Sequence, residues 1–582
     1  MNILVIGGGI SGISAAKVAL REGHDVTVIE CTSEPGGLMA RIANCRVGFK
    51  TFFDEIRDKP RLTVIRDGRI AKVEKRENVF TVILEDGQSI RADRVIVAAG
   101  LSPYDPVEYR GKRVLTSLEY DAVIDQRNGD LPADFEKIGF FLCVGSRSKE
   151  YPLCSSVCCS YTLREVKWTL QRAKPEIIVF YNDLRFFGQE FLMEKAYRDT
   201  GVRFVRANSR YFEEDDDGVT VRYFAGGGLK EERFNYVVLA IGLRPNPELE
   251  RLSGLFGFSR DEFGFAVEKE PLKADADGVY LAGGSIEPMS IKDAILTGFG
   301  AAMRAVSDGD GRVSGVLEDK VYTEIPGDLP DIDRNHTSYL FYLGTEDPWI
   351  KMFYEYVSGR FVVLARELRS LGKDVYVVSR NMVVPSYGEI EYEKARREGV
   401  VFLHLEEEES VTFLEREVRI AGKDRETVLA IDKVIRFDDC LKLFDGKDFL
   451  IQFRSEPQLR WSPTKWSREK YHTGFIRYPR AERWSRREFY GALGEILLDV
   501  EEERVLPEVS EDRCSGCGSC KDACPHDAIE MEMREQQIVL FGPNVVSSAP
   551  IAHVKEGSCV GCGLCAATCP SHVISYPVQE TC

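Results

Sequence analysis

Residues 2–30 read NILVIGGGISGISAAKVALREGHDVTVIE. An apolar run gives way to a glycine turn, an amphipathic stretch follows, and a second apolar run ends on an acid, which predicts strand, turn, helix and strand. Gly7 permits the tight turn after the first strand, Gly9 lets the backbone approach a pyrophosphate, and Gly12 lets the helix pack closely on the strand. Ile10 and Ser11 open the helix, where unpaired backbone N–H groups face an anion. Glu30, eighteen residues after Gly12, is placed to accept hydrogen bonds from an adenosine ribose. Strand, helix and terminal acid together predict a dinucleotide site, where the glycines alone would predict only an ordinary turn.

Working outward, EPGGLMARI supplies a second glycine pair, Gly36 and Gly37. Arg69 to Ala92 alternates as a small antiparallel meander, and RVIVAAG closes an apolar strand on Ala99 and Gly100. Much later, DGVYLAGG (Asp277 to Gly284) is another buried strand ending on Gly283 and Gly284, with a helix predicted from Ile291 to Ala305. In two-dinucleotide flavoproteins of the thioredoxin and disulfide reductase type, these elements enclose FAD, and the late glycine strand lies beside the ribityl chain and isoalloxazine. FAD, rather than NAD, is therefore the expected ligand. Many disulfide reductases end that strand Gly-Asp, with the Asp on the ribityl hydroxyls; here Gly284 stands in its place.

Between these segments, Lys137 to Gly242 reads as a second αβ unit: the strand IGFFLCVGS, a helix over Tyr161–Gln171, the strand IIVFY, a helix near Gln189 to Asp199, and VVLAIGLRPN. In pyridine-nucleotide reductases such an insert binds NADPH through its own glycine fingerprint. Here the turn reads CVGSRSKEYPLCSSVCC, with cysteines where a pyrophosphate would lie, so no NAD(P) site is expected.

The 582-residue chain carries 77 basic and 94 acidic residues, a net charge of −17. A nucleic-acid partner calls for a surplus of Lys and Arg, so that class is excluded. The longest apolar runs, such as FVVLA at Phe361 to Ala365, fall far short of a bilayer span, and no basic region precedes the N-terminal apolar run. A cytoplasmic protein without direct membrane insertion is expected.

Sixteen cysteines are unevenly placed: nine lie in the last 69 residues, and three more lie between Cys154 and Cys159. In a large chain without a secretory leader, clustering of this kind points to metal ligation rather than disulfides. CSGCGSCKDACP from Cys514 and CVGCGLCAATCP from Cys559 repeat the bacterial two-cluster ferredoxin pattern, in which the fourth cysteine of each run serves the other cluster. One 4Fe–4S cluster is therefore assigned to Cys514, Cys517, Cys520 and Cys569, and the other to Cys559, Cys562, Cys565 and Cys524. Pro525 and Pro570 turn the chain away from the metal. A pair of zinc knuckles would explain neither the third cysteine of each run nor the proline. For Cys143, Cys154, Cys158 and Cys159, spacing alone leaves cluster ligation, buried free thiols and redox or zinc chemistry open. Cys31, Cys45, Cys440 and Cys582 receive no role.

LCVGSRSKEYPLCSSVCC, followed by VFYNDLRFFGQEF and GVRFVRA, resembles the flavoprotein A subunits of heterodisulfide reductases, from Met1 to about Ala305 and again in the terminal ferredoxin. The resemblance implies an atypical third 4Fe–4S cluster on Cys143, Cys154, Cys158 and Cys159, close to FAD. It also implies electron routing between flavin and clusters, in some relatives with division of an electron pair between two acceptors. Partners would be other components of a redox complex, resembling the B and C subunits of heterodisulfide reductase or linked to a hydrogenase or dehydrogenase, together with ferredoxin; a homodimer is compatible. Three features depart from that family. The inserted ferredoxin and cysteine-bearing extension of bifurcating members have no counterpart apart from Cys45. A lysine of a PKDI-like segment is replaced by Met289, with Lys292 three residues on.

The third departure is an internal repeat. SYLFYLGTEDP from Ser338, KDVYVVSRN and YEKARREGVVFLHL echo IGFFLCVGSRS, EIIVFYND and MEKAYRDTGVRFVRA about 198 residues earlier. EPQLRW at Glu456 echoes EPLK at Glu270, and HTGFIRYPRAERWS echoes the late glycine strand. The copy keeps apolar strand positions but not cofactor chemistry: Leu343 and Gly344 stand without cysteines, and Arg477, Tyr478 and Pro479 replace Ala-Gly-Gly. Two roles are consistent with this, a docking platform that imitates a partner protein and a domain kept only for stability.

The expected fold is thus α/β, with an FAD-binding Rossmann-type domain at 1–136 and 243–320, an inserted cluster-bearing unit at 137–242, a cofactor-free degenerate copy at 330–500, and an α+β ferredoxin domain at 505–582. The expected function is electron transfer by the FAD and iron–sulfur component of an oxidoreductase, acting on sulfur, disulfide or linked donors within a complex. A stand-alone ferredoxin-dependent flavin reductase of a small substrate is the alternative. None of the seven histidines falls in a catalytic constellation.

Overall fold

The computed structural model describes residues 1–109, 111–126, 135–186, 197–198, 200–207, 210–310, 321–324, 332–344, 354–406, 408–422, 426–437, 465–467, 470–474, 482–498, 507–522, 524, 527–538, 545–555, 559, 565, 569 and 573–575. The opening segment folds as its spacing predicts: strand Asn2–Ile6, helix Ile10–Arg21 and strand Asp25–Ile29. The two strands pair in parallel within a seven-stranded sheet. Arg94–Val97 lies on the other side of the first strand, and Val279–Leu281 lies beyond it, so the late glycine strand returns to the same sheet. Parallel strands covered on both faces need near-continuous apolar side chains, and Ile3, Leu4, Val5, Val95, Ile96 and Val97 are all buried. The meander forms a small antiparallel sheet from Ile70–Arg76, Val79–Leu84 and Ser89–Ala92. Among the described residues, no helix is long and apolar enough to cross a membrane.

The inserted unit is a second parallel sheet, ordered Arg203–Arg206, Glu176–Tyr181, Lys137–Val144, Tyr236–Ile241 and Val114–Thr116. Its last strand comes from upstream of residue 137 and is followed by helix Ser117–Gln126. This unit therefore begins before the boundary placed at 137. A three-residue strand has too few positions to show a period, and only its pairing with Val237–Leu239 reveals it. The short antiparallel pair Leu101–Pro103 and Leu243–Pro245 carries the chain into and out of the insert.

The repeat is visible in individual hydrogen bonds. Val401–His404, Asp374–Ser379, Ser338–Leu343 and Lys433–Arg436 form a parallel sheet in the order of the first four strands of the insert. Ala207 N–H donates to the Tyr181 carbonyl at 3.0 Å, and its counterpart Leu405 N–H donates to the Ser379 carbonyl at 2.8 Å. Val202 to Tyr197 and Val400 to Ala395 repeat in the same way, at 3.2 and 3.0 Å. The copies face each other about a local pseudo-two-fold: Leu184 N–H donates to Asn381 Oδ1 at 3.0 Å, and Met382 N–H donates to Asp183 Oδ1 at 3.2 Å. Such reciprocity is the signature of an isologous interface, here made within one chain.

The copy also docks on the FAD domain. Helix Glu482–Leu498 crosses helix Ile291–Asp310 through glycines: a Cβ on Gly491 would stand 2.7 Å from the Leu296 carbonyl oxygen, and one on Gly494 would stand 3.0 Å from that of Phe299. Beside the crossing, buried Arg487 pairs with Glu268 and Glu287. The ferredoxin region carries the antiparallel pair Ile529–Ile538 and Val545–Val554, with Glu508–Val509 against Ile574–Ser575. The helix expected near Gln189 to Asp199 is seen at Tyr197 and Arg198; its other residues, the segment at Glu456, Arg477 to Pro479, Pro525, Pro570, Cys440, Cys562 and Cys582 lie outside the described residues.

Candidate functional site

At the first βα turn, Gly7 has φ +106°, and a Cβ there would stand 2.3 Å from the Ala98 carbonyl oxygen. A Cβ on Gly12 would stand 1.9 Å from the Gly7 oxygen, whereas one on Gly9 would meet nothing within 4 Å. Two glycines are thus required by packing, and Gly9 opens onto free space at the helix N-terminus, which suits a phosphate-bearing ligand. Gly37 approaches Gly9, and Gly36 N–H donates to Gly8 O at 3.0 Å, so the second glycine pair walls the same space. Glu30 is buried; one carboxylate oxygen accepts from Gly8 N–H at 2.9 Å, the other from the N–H and hydroxyl of Thr32 at 2.9 and 2.8 Å. The first oxygen retains acceptor capacity for a ribose hydroxyl.

The remaining flavin-side positions converge from distant sequence. Ala99 N–H donates to the Ser285 hydroxyl at 2.9 Å, and Gly283 N–H donates to the Thr297 hydroxyl, within the helix that Ile291 opens. Gly284 packs on the Gly100 backbone and the Leu101 side chain, and its Cβ would lie 2.9 Å from the Gly100 carbonyl carbon. An Asp has no room there, which explains the departure from Gly-Asp. Gly283 thus meets Ser11, and Gly284 meets Gly100, so the late strand closes on the helix that Ile10 opens, an arrangement that fits FAD.

The cysteine loop stands at the corresponding turn of the insert. Strand Lys137–Val144 changes register between Phe141 and Val144, and Cys143 takes φ +63°. A non-glycine residue in that region costs about 1–3 kcal/mol and is held only by surroundings that over-determine it. Cys158 and Cys159 open helix Cys158–Arg172, and Cys154, Cys158 and Cys159 are buried. The Cys158 thiol is pushed well above its ordinary range: a hydrogen bond with Cys143 pulls it down, but a bond to Cys159, burial and the charges of Cys159 and Cys154 outweigh that. The other three cysteines of the loop thus all bear on Cys158. Among the described residues, no three His, Cys, Asp or Glu side chains gather tightly enough to ligate a single ion. A cubane makes a different demand, one thiolate for each iron at a separate corner.

Around this loop lie charges that sequence reasoning missed. Arg147 Nη2 is 2.7 Å from Asp183, its Nε is 3.1 Å from Glu389, and Arg185 also pairs with Glu389. Burial raises the Asp183 carboxyl, but Arg147, His404, Arg185 and Arg206 together hold it well below the usual carboxylate range. Arg185 N–H faces Cys159 Sγ at 3.5 Å. Tyr151 and Leu153 of the loop pack with Phe265 of the FAD domain, joined by Tyr387 and Ile390 of the copy. The sequence signal was Arg147 inside the cysteine loop; Arg185, 26 residues past Cys159, and Glu389, farther still, lie too far along the chain to have been associated with it.

In the ferredoxin region, Cys514, Cys517, Cys520 and Cys569 line one cavity of about 280 Å³, counting space open to solvent. Cys569 reaches it from the second motif. Cys559 and Cys565 are buried and Cys524 is partly so, its sulfur accepting from Ala528 N–H at 3.3 Å.

Residues 1–117 match the family described as pyridine nucleotide-disulphide oxidoreductase, and residues 513–573 match the 4Fe-4S dicluster domain. With the sheet topology, these define an α/β oxidoreductase that joins a reductase-type nucleotide-binding fold to a C-terminal dicluster ferredoxin domain, and they imply FAD and 4Fe–4S clusters as its cofactors. The chain is similar to the A subunits of heterodisulfide reductases. It is 33% identical over 242 residues to the A subunit of the H(2):CoB-CoM heterodisulfide,ferredoxin reductase of Methanothermobacter thermautotrophicus, covering 37% of each chain. It is 29% identical over 240 residues to the iron-sulfur A 2 subunit of the CoB--CoM heterodisulfide reductase of Methanopyrus kandleri, again 37% of each. The chain thus spans little more than a third of the length of these relatives, and the aligned share is shorter than the extent read from the cysteine loop and ferredoxin motifs. A solved thioredoxin reductase from T. acidophilum covers 53% of this chain and 97% of its own, at 18% identity and a TM-score of 0.40.

Proposed function

We propose that this chain is the electron-transfer flavoprotein component of a heterodisulfide reductase-like complex, holding one FAD and three 4Fe–4S clusters. The observation that carries the reading is the cysteine quartet at the insert's first turn, on a loop whose Tyr151 and Leu153 pack against Phe265 of the FAD domain and Tyr387 and Ile390 of the second copy. Bound FAD supplies the conversion between electron pairs and single electrons, and clusters carry single electrons onward. The chain's residues bind and orient: the Gly7–Gly12 turn and Glu30 hold the dinucleotide, and the cysteine loop sets a cluster site against the same domain. Cys514, Cys517, Cys520 and Cys569, with Cys524, Cys559, Cys562 and Cys565, form the outlet toward ferredoxin or partners resembling the B and C subunits of heterodisulfide reductase.

The insert's turn is closed where a nicotinamide dinucleotide would need open backbone. A Cβ on Gly145 would stand 2.1 Å from the Tyr104 ring, and Arg244 stacks on Tyr104 and Tyr151. In anaerobic titration of the purified protein, reduced ferredoxin is expected to bleach the flavin absorbance while NADH and NADPH leave it unchanged. Bleaching by either nicotinamide would overturn the assignment and favour a stand-alone reductase.

A further inference from the structure

Arg147 and Arg185 are among the most deeply buried charged side chains of the insert, with 7% and 2% of their side-chain surface exposed. Their carboxylate partners, Asp183 and Glu389, are nearly as enclosed, at 4% and 10%. Arg185 further donates through Nε to the Met382 carbonyl at 3.1 Å. Yet the Nη1 groups of both arginines have no hydrogen-bond partner among the described residues. A buried guanidinium N–H without an acceptor is costly. It is accounted for when an anionic group completes the site: Arg147 lies within the Cys143–Cys159 loop, and Arg185 N–H meets Cys159 Sγ at 3.5 Å.

The two copies differ at this point. At the pseudo-two-fold, Asp183 and Arg185 of the insert correspond to Asn381 and Val383, 198 residues on. Charge is kept on the side that has the cysteines and removed from the side that has lost them. What the copy contributes instead is Glu389 and the Met382 carbonyl, both directed at the insert's arginines, and Asn381, which accepts from Leu184 N–H beside them.

We propose that Arg147 and Arg185, held in place by Glu389 of the degenerate copy, form a cationic lid over the Cys143/Cys154/Cys158/Cys159 site that raises the reduction potential of the cluster bound there. The inference rests on the proposed cluster at that quartet. Reduction of a cluster held there, by one electron from the flavin, would add negative charge to an already anionic assembly; Arg147, Arg185 and Arg206 outnumber the paired Asp183 and Glu389, and that surplus positive charge, little screened by solvent, would favour the reduced form. Glu389 is a positioning residue, and it also neutralises part of that charge. The copy thereby acquires a role beyond stability.

The experiment is an anaerobic redox titration of the full chain followed by electron paramagnetic resonance, on wild type, Arg185→Met and Glu389→Gln, with iron counted in each. Arg185→Met removes a positive charge and is expected to shift the midpoint of one cluster to more negative potential. Glu389→Gln keeps the shape and one acceptor while removing the opposing charge, and is expected to shift the same cluster to more positive potential. The ferredoxin clusters should not move in either. Shifts of equal sign, or no shift in Glu389→Gln, would overturn the lid; if Arg185→Met loses the cluster, the upward shift in Glu389→Gln alone decides. Failure of the underlying reading looks different: wild-type iron stays near eight atoms per chain, as two clusters of four require, and Cys158→Ser leaves it unchanged.

Discussion

Gly12→Val is expected to yield protein that has lost its flavin but kept its iron. The Cβ alone would sit 1.9 Å from the Gly7 oxygen and 3.2 Å from Val5. The clash is with backbone, so no rotamer relieves it; helix Ile10–Arg21 must move off its strand. Overpacking that the surroundings can absorb costs about 1–3 kcal/mol, and the helix N-terminus that faces the pyrophosphate moves with it. If that cost falls on the bound state, affinity drops roughly ten- to a hundredfold. Gly9→Ala is the discriminating companion: its Cβ meets nothing within 4 Å, so the fold should be untouched while the added methyl intrudes on the ligand's space. Flavin-to-protein absorbance ratios after gel filtration read both effects. Full flavin occupancy in Gly12→Val would refute the assigned cradle.

The second large effect is expected from Cys569→Ser. The residue lies in the C-terminal motif, but its side chain lines the cavity of Cys514, Cys517 and Cys520. Loss of that thiolate should therefore remove the cluster of the first motif, about four irons, and leave that of Cys559, Cys562, Cys565 and Cys524 in place. A zinc-knuckle arrangement, with each motif self-contained, would instead lose metal from the second motif. Paired variants, Cys569→Ser and Cys524→Ser, compared by iron content and paramagnetic spectra, separate the two: the interleaved site predicts that each variant silences the cluster of the other run.

Local chemistry was legible in the sequence because its spacing is fixed by covalent geometry. The Gly7, Gly9 and Gly12 roles follow from a turn of set length, and the interleaving of Cys569 follows from the two-cluster pattern. The repeat was legible too, since its strands preserve apolar positions at a constant offset of about 198 residues. What escaped was non-local. Val114–Thr116 is too short to carry a period, and only its partner Val237–Leu239 defines it. Gly284 read as a missing Asp, whereas it is dictated by the Gly100 backbone and the Leu101 side chain behind it. The arginine cluster depends on Glu389 meeting Arg147 and Arg185 across more than 200 residues of chain, a contact created by the pseudo-two-fold packing of the copies.

A reductase fold normally spends its insert on nicotinamide; here that turn holds cysteines, and the copy behind it closes the site. The most direct test of this account is cofactor stoichiometry on the anaerobically purified protein. Iron, acid-labile sulfide and FAD per chain should come to about twelve, twelve and one, the sum of three cubanes and a single flavin. A value near eight irons, with the Cys158→Ser variant indistinguishable from wild type, would contradict it.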